Sequence, residues 1–281
     1  MPSVAVPRSS QASRALRRSQ STRMTATKFE CAAQAHLLAQ KRRIPLATKY
    51  DVNTNVVPAC TKLSLPRTLP RPVLGEVDTS SLVGAYPDLA GIPAEYIRDR
   101  LNLTTPKMRA AIQAVETSVS KSTLPTELNI LMNEVVSFAC PTHMFAVYND
   151  APLPLGHKRQ VNLFPIHDLV FGLQCTNLPT LPAARPSSSP SHTTVPVVPL
   201  RLPSPETFSL LHAYLYTKQP ATLLASLARP CETDMLQLAA HANKILGLWR
   251  NACLLGVVDA QLYDVIGASW DSAIAAMQAC S

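Results

Sequence analysis

The segment from Val195 to Lys218, VPVVPLRLPSPETFSLLHAYLYTK, constrains the fold most, because it joins an apolar strand to a capped helix. Its first part is aliphatic but carries three prolines, and each proline removes a backbone donor, so we expect an edge strand or an extended segment. Ser204 stands at a helix N-cap, with Pro205 at the first helical position. Apolar side chains then recur at helical spacing from Phe208 onward. The unit carries no evident catalytic chemistry, which favours a binding module over an enzyme.

The formal net charge of +8 is unevenly distributed along the 281 residues. Residues 1–72 carry 13 Lys or Arg against 2 acidic residues, a net +11, whereas residues 73–281 carry 13 basic and 16 acidic residues, a net −3. A basic arm of this kind favours nucleic acid, import receptors, acidic proteins or anionic membrane surfaces. Nucleic acid would be bound only weakly, through phosphates, since the body contains no evident recognition-helix module. We expect no membrane partner, because no apolar run approaches the roughly 18 residues that a membrane helix needs.

The composition of residues 1–90 predicts a basic, proline-rich and mostly disordered arm. Within the arm, a capping-box spacing at Thr27 and Glu30 predicts a helix over residues 28–43. The helix would end in Lys41, Arg42 and Arg43, which either complement its dipole or form a nuclear import signal. The Arg- and Ser-rich start of the chain also fits a mitochondrial transit peptide. We expect a nuclear location, with the cytoplasm and the mitochondrion as alternatives.

The rest of the chain predicts an α+β body. Residues 91–139 predict a helical region, with helices opened by Pro93 and Pro106 and a third, TELNILMNEVV, after Pro125. Residues 140–281 predict an interaction domain in which Asp259 caps the last helix and Gly247 allows the preceding helix to bend. Its predicted elements are strands at 142–149 and 158–164, a helix at 166–175, a Pro/Ser loop at 179–194, the strand and helix of the opening unit, and nearly continuous helix from residue 233.

The sequence gives little support for a catalytic site or a metal-binding site. Seven cysteines are scattered without a C-x-x-C pair, which favours a reduced intracellular compartment. Cys140 and His143 have ligand-like spacing, with His167 and Cys175 further on, but core cysteine and hydrogen-bonded histidine are commoner than zinc ligands. His167 and Cys175 would lie about 12 Å apart along one helix, too far for proton transfer. We therefore predict no enzyme, no catalytic or cofactor-binding residue, no metal and no cofactor.

Three residues that precede proline are candidate phosphorylation sites: Thr105, Ser189 and Ser204. For Ser204 we favour the simple role of a helix cap. Trp249 and Trp270 are interpreted as core anchors, with the alternative that one of them belongs to a partner groove. No partner-binding residue is assigned from the sequence.

The order strand, strand, helix, loop, strand, helix, then helices resembles the BTB/POZ fold, a protein–protein interaction module. Three local motifs carry the resemblance: Pro165-Ile166-His167-Asp168-Leu169-Val170; Leu202-Pro203 followed by Phe208, Leu210-Leu211 and Tyr214-Leu215-Tyr216-Thr217; and Met235-Leu236 with Leu238-Ala239. The Pro/Ser loop departs from that fold, since a helix normally stands there, and this puts the usual dimer surface in doubt.

A closer resemblance, over roughly residues 91–270, is to the clampless-type proteins of mushroom-forming and related fungi. It rests on Gly91-Ile92-Pro93-Ala94-Glu95-Tyr96-Ile97, Pro141-Thr142-His143-Met144, Cys175-Thr176-Asn177-Leu178-Pro179 and the run from Val197 to Phe208. The resemblance implies a non-enzymatic regulator of sexual development in the mating-type pathway, needed for clamp-cell formation and working in the nucleus through protein contacts.

Transcription factors are the expected partners, bound by apolar faces of the C-terminal helices or by the Pro-rich strand. The alternative is a substrate adaptor of a cullin ubiquitin ligase, since BTB/POZ proteins often recruit that scaffold. The partner's identity and the oligomeric state stay open.

Overall fold

The computed structural model describes residues 65–115, 124–131, 139–149, 152, 159–183, 192–229 and 234–280. Within these ranges the protein is a mixed α+β structure with eight α-helices and four strands. The helices are α1 (Ser80–Ala85), α2 (Ala94–Asn102), α3 (Thr105–Gln113), α4 (Asp168–Gly172), α5 (Phe208–Thr217), α6 (Pro220–Ser226), α7 (Met235–Leu255) and α8 (Ala260–Ala279). The strands are β1 (Glu127–Leu131), β2 (His143–Tyr148), β3 (Asn162–Ile166) and β4 (His192–Arg201), and 3-10 turns stand at Pro87–Leu89 and Pro205–Thr207.

The four strands form one curled sheet in the order β1-β4-β2-β3. β4 runs antiparallel to β1 and parallel to β2, and β2 runs antiparallel to β3. Residues 192–196 of β4 align with β1, and residues 197–201 align with β2. β4 as a whole lies between β1 and β2, so the edge-strand prediction is wrong for the full strand, although each half pairs with only one neighbour. Its prolines are accommodated because each half of β4 follows a different neighbour, so a missing donor interrupts a single ladder.

The sheet is covered on both faces at β2. In β2, Phe145 and Val147 belong to the main core, where the Phe145 ring packs against Phe171 of α4 and Phe208 of α5. Met144 and Ala146 point the opposite way, into a smaller core that includes Ile130 of β1. This alternation follows from the two-residue period of a strand, and burial of both faces explains why His143 to Val147 are all buried.

Local signals define the C-terminal hairpin of α7 and α8. The Asp234 carboxylate accepts from the Gln237 amide at the start of α7, and α7 ends at Gly256 in the left-handed conformation (φ 62°). Asp259 accepts from the amides of Gln261 and Leu262, which confirms its predicted cap of α8. The same carboxylate pairs with Lys218 at 2.8 Å; although burial opposes ionisation, this pair and its hydrogen bonds hold the Asp259 pKa below the usual value.

Gly247 lies where α7 crosses the turn before α5, and α7 continues through it as helix. An added Cβ there would overlap the Ser204 hydroxyl and lie 2.7 Å from Ser204 Cβ. We expect Gly247→Ala to lower the free energy of unfolding by about 1–3 kcal/mol in urea denaturation. Gly267→Ala in α8 is the matched control, because its Cβ would meet nothing within 4 Å. Equal stability of the two variants would contradict this close approach.

Several predictions need correction. The third predicted helix after Pro125 is wrong over Glu127–Leu131, which forms β1, because Leu128 and Ile130 alternate toward the smaller core. The predicted disordered arm ends too late, since Leu65, Leu69, Leu82 and Leu89 pack on the main core. The helix predicted over 166–175 shortens to α4, because Ile166 belongs to β3, and the Pro/Ser loop predicted over 179–194 gives way to β4 from His192. The helix predicted over 28–43 lies outside the described residues.

Candidate functional site

A buried polar cluster joins the start of α4 to α5. His167 Nε2 lies 3.0 Å from the carbonyl oxygen of Ala139, which can only accept, so Nε2 carries the proton. His167 Nδ1 therefore accepts from the Tyr216 hydroxyl at 2.9 Å, and that hydroxyl accepts from the His167 amide. Burial lowers the pKa of His167 and raises that of Tyr216. Both ring nitrogens are occupied in a neutral imidazole, so the cluster holds two elements together and offers no free base.

The other candidate metal or nucleophilic residues are also engaged in structure. His143 Nε2 donates to the carbonyl of Pro182 at 2.7 Å, and Nδ1 lies 2.9 Å from the Thr142 hydroxyl. Cys175 is buried, and burial raises the pKa of its thiol to about 12. Among the described residues, no group of three His, Cys, Asp or Glu side chains is placed to hold a metal ion. The Cys140, His143, His167 and Cys175 set is therefore not brought together as a ligand cage.

A cleft of about 680 Å³ opens between the α1 segment and residues 175–183. Its polar wall includes Tyr86, whose hydroxyl donates to Asp168 at 2.8 Å. Burial, helped by Asp168, raises the pKa of Tyr86, so the phenol stays protonated. The Asp168 carboxylate also accepts from the Leu169 amide at 2.7 Å. These bonds secure α1 to α4 and leave neither group poised for proton transfer.

His212 is enclosed by aromatic rings at 5.2–6.0 Å, those of Phe164, Phe171, Phe208 and Tyr216, and its Nε2 donates to the Pro165 carbonyl at 3.0 Å. Burial lowers its pKa to about 4, and the neighbouring His167 and Arg109 act in the same direction. The folded protein therefore keeps this imidazole neutral where the unfolded chain would protonate it.

This difference predicts a loss of stability in acid. Below pH 6.5 the unfolded chain binds a proton at His212 that the folded protein does not bind. The free energy of unfolding should therefore fall as the pH is lowered from 6.5 to 4, and the stability that neutral His212 contributes should be complete above pH 6.5. Between pH 7.5 and 5, His212 should account for about 1–2 kcal/mol of the fall. Urea titrations of the wild type and His212→Gln at both pH values test this, and the variant should lose less. His167 and His241, whose pKa values burial also lowers, leave a residual fall in the variant. An identical fall in both proteins would contradict the account.

The structure places the candidate modification sites unevenly. Thr105 is buried at the first residue of α3, and its hydroxyl donates to the Asn102 carbonyl at 3.1 Å. Ser204 is buried at the predicted cap position, but its hydroxyl donates to the Glu206 carboxylate rather than accepting from a helical amide. Phosphorylation of either residue stays a prediction, and it would require local opening. Ser189 and the cluster Lys41, Arg42 and Arg43 lie outside the described residues.

A groove runs along the outer face of the α7–α8 hairpin and holds a segment of the chain itself. We call residues 65–73, LPRTLPRPV, the strap. Leu65 and Leu69 of the strap pack against the main core. The Pro70 carbonyl accepts from the indole nitrogen of Trp249 at 3.2 Å, and Arg71 pairs with Asp264 at 3.1 Å. The strap is thus bound by an apolar, a hydrogen-bonded and an ionic contact.

The groove continues beside the strap as an open volume of about 290 Å³. Its wall on α8 repeats at helical spacing, with Asp264, Gly267 and Asp271 three or four residues apart. Tyr263 forms part of the lining, and burial raises its pKa, so its hydroxyl is neutral. The groove is lined by Trp249, Tyr263, Asp264, Gly267, Ala268 and Asp271.

Sequence reasoning found part of this groove. The sequence predicts that both tryptophans are core anchors or that one belongs to a partner groove, and the structure divides those roles. Trp270 is fully buried, whereas Trp249 lies partly exposed beside the strap. Tyr263, Gly267 and Asp271 were missed as groove residues. The available signal was the spacing of acidic and small residues along α8, which resembles an ordinary solvated helix face.

Two family models cover the described body. Residues 72–203 match the Clampless protein 1 N-terminal domain, and residues 182–281 match the Clampless protein 1 C-terminal domain. Together the matches span residues 72–281, about three quarters of the chain. The chain belongs to the clampless protein family. This confirms the resemblance inferred from the sequence motifs, and it connects the chain to clamp-cell formation and fungal sexual development.

Both clampless segments lie within one structural unit, and their overlap at residues 182–203 contains β4. The two segments are therefore packed through a shared strand. No curated protein and no solved structure matches the chain. The BTB/POZ-like core accordingly stays a prediction. Within the described residues, no helix is both long and apolar enough to span a membrane.

Proposed function

We propose that this clampless-family chain is a non-enzymatic regulator that acts by binding other proteins through the α7–α8 groove. The observation that carries the proposal is the strap, an extended peptide that the groove holds through apolar packing, the Trp249 bond and the Arg71–Asp264 pair. Grooves that recognise extended peptides use these same kinds of contact. The neutral, fully engaged His167 and the buried Cys175 thiol support the non-enzymatic part of the proposal.

The proposed partners are transcription factors of the mating pathway, bound in the nucleus. The net +11 of residues 1–72, together with Lys41, Arg42 and Arg43, supports import, because basic clusters of this kind are bound by import receptors. Nucleic acid contact is not required for this role, since phosphate contacts carry no sequence information.

Co-precipitation from mating cells tests the proposed partner class. The tagged full-length chain should recover a mating-type transcription factor. Asp264→Lys, which reverses a charge inside the groove, should reduce that recovery at least about tenfold, the loss that 1.4 kcal/mol of binding free energy produces. Asp88→Lys is the matched control, because Asp88 is an exposed carboxylate outside the groove lining, and it should bind as the wild type does.

Two outcomes would contradict the proposal. Recovery of a cullin scaffold without a transcription factor would favour the ubiquitin-ligase adaptor instead. Equal recovery by Asp264→Lys and Asp88→Lys would place the binding site elsewhere on the protein.

A reporter fusion tests the proposed location. Residues 1–50 fused to a fluorescent protein should accumulate in the nucleus, and replacement of Lys41, Arg42 and Arg43 by alanine should disperse the signal. Mitochondrial fluorescence would instead support the transit-peptide alternative.

A further inference from the structure

The strap has the composition of a peptide ligand. Its sequence LPRTLPRPV contains three prolines and two arginines, which favour an extended, polyproline-like backbone with little conformational entropy left to lose on binding. Within the strap, no residue forms a helix or a strand. The indole nitrogen of Trp249 donates a hydrogen bond to the Pro70 carbonyl. Aromatic-lined grooves bind proline-rich segments through bonds of this kind, because the carbonyls of a polyproline helix form no hydrogen bonds within the helix.

The contacts that hold the strap are exposed. The Arg71 and Asp264 side chains are 58% and 61% exposed, so solvent screens the pair and it contributes little to affinity. The Trp249–Pro70 hydrogen bond is also exposed to water. Leu65 and Leu69 provide the apolar anchor, and both remain only partly buried. A segment attached in this way is ordered but can be displaced by a competitor with similar chemistry.

The groove has more recognition capacity than the strap uses. Beside Arg71, the open volume is lined by Gly267 and by a second carboxylate, Asp271, for which the described part of the chain shows no ion pair. A Cβ added at Gly267 would meet nothing within 4 Å, so the floor of the groove is open to an incoming backbone. Asp264 and Asp271 lie seven residues apart on the same face of α8. Two carboxylates in this arrangement favour a ligand that carries more than one basic side chain.

We propose that the strap is an internal ligand occupying a docking groove for an extended, proline-rich, arginine-bearing segment of a partner protein, which must displace the strap to bind. The inference rests on the proposed protein-binding role of the groove, and it adds both the chemistry of the partner segment and its control. Because the strap is part of the same chain, it competes at an effective concentration in the millimolar range and suppresses weak ligands. Partners gain access only when their segment contacts Asp271 in addition to Asp264, or when the strap is released.

A peptide-binding assay on the full-length chain tests the inference. The probe is a fluorescent peptide with the sequence of residues 64–74, and its dissociation constant is measured by anisotropy. The strap-released variant combines Leu69→Ser with Arg71→Glu, which removes an apolar anchor and repels Asp264. It should bind the peptide at least about tenfold more tightly than the wild type, because the internal competitor is gone. Adding Asp264→Ala should weaken peptide binding, because it removes the carboxylate that pairs with the peptide's arginine, whereas adding Asp88→Ala should not.

The controls separate the possible failures. Thermal unfolding must show that the strap-released variant is folded. If it is not, Arg71→Glu alone provides a milder release, since it removes the strap's ion pair and leaves every groove residue unchanged. A folded released variant that binds the peptide no better than the wild type would overturn the inference. Strap exchange between two copies, seen as a wild-type dimer that the released variant loses, would overturn it as well. Transcription-factor capture without peptide binding would leave the proposed function standing and refute the internal ligand alone. Peptide binding without capture would refute the transcription-factor partner and leave the internal ligand standing.

Discussion

Trp270→Ala should lower the free energy of unfolding by about 3–5 kcal/mol, a large share of the 5–15 kcal/mol that a domain usually has. Trp270 lies on α8 with no exposed surface, and it is the largest of the fully buried side chains. It belongs to the main core with Ile266 and Ala273, one turn away on either side. Truncation to alanine would leave a cavity that the surrounding helices cannot close. Urea denaturation followed by circular dichroism measures the loss.

Trp270→Phe is the matched control, since it keeps an aromatic ring. The Trp270 indole nitrogen is buried and has no hydrogen-bond partner among the described residues, so its removal also relieves an unsatisfied donor. We expect the phenylalanine variant to lose less than half as much stability as the alanine variant. A loss below about 1 kcal/mol for Trp270→Ala would contradict the packing of α8, because removal of a fully buried aromatic side chain lowers the free energy of unfolding by more than that.

Asn251→Leu should cost about 3–4 kcal/mol, through polar groups left without partners. Asn251 is fully buried on α7 and bridges to the turn before α5. Its amide nitrogen donates to the Ser204 carbonyl at 2.7 Å and to the Thr207 hydroxyl at 3.0 Å, and its amide oxygen accepts from the Ser204 amide at 3.2 Å. Leucine has a similar volume but satisfies none of these groups, and Ser204 is itself buried.

Asn243→Leu provides the comparison on the same helix, because Asn243 is exposed. Its effect on the free energy of unfolding, measured by urea denaturation, should stay within about 0.5 kcal/mol, as for most surface substitutions. If Asn251→Leu were equally mild, the hydrogen bonds between α7 and the Ser204 turn would not be a major source of stability. Since Gly247 contacts the same turn, a double variant of Gly247→Ala and Asn251→Leu should lose less than the sum of the single losses.

The C-terminal half shows how far local signals reach. Capping by Asp259, the apolar spacing of α5 and the start of α7 depend on residues within a few positions of one another, and their predictions are confirmed. The family was also evident from short contiguous motifs, which the two clampless matches confirm. Interactions between near neighbours are encoded where they act, so a sequence can display them directly.

β1 shows where local signals mislead. The run TELNILMNEVV contains residues spaced as in a helix, but Leu128 and Ile130 also alternate, and a short apolar run does not distinguish the two periods. β4 supplies the partner, aligned through residues 192–196, more than sixty positions away in sequence. Pairing with a distant strand and burial against α3 decided the conformation, and neither is visible in the run itself.

By itself, the sequence determined the α+β class, the helices α5, α7 and α8, the clampless family and the separation of a basic arm from an acidic body. Only the tertiary structure decided that β4 lies between β1 and β2, and that the Tyr216 hydroxyl donates a hydrogen bond to His167 Nδ1. It alone also decided that Trp249 lines a groove whereas Trp270 is buried in the core. It also decided that residues 65–73 return across the α7–α8 hairpin to meet Trp249 and Asp264. The physical reason is the same throughout: these features depend on groups brought together from distant parts of the chain, whose attraction acts only after the chain has folded.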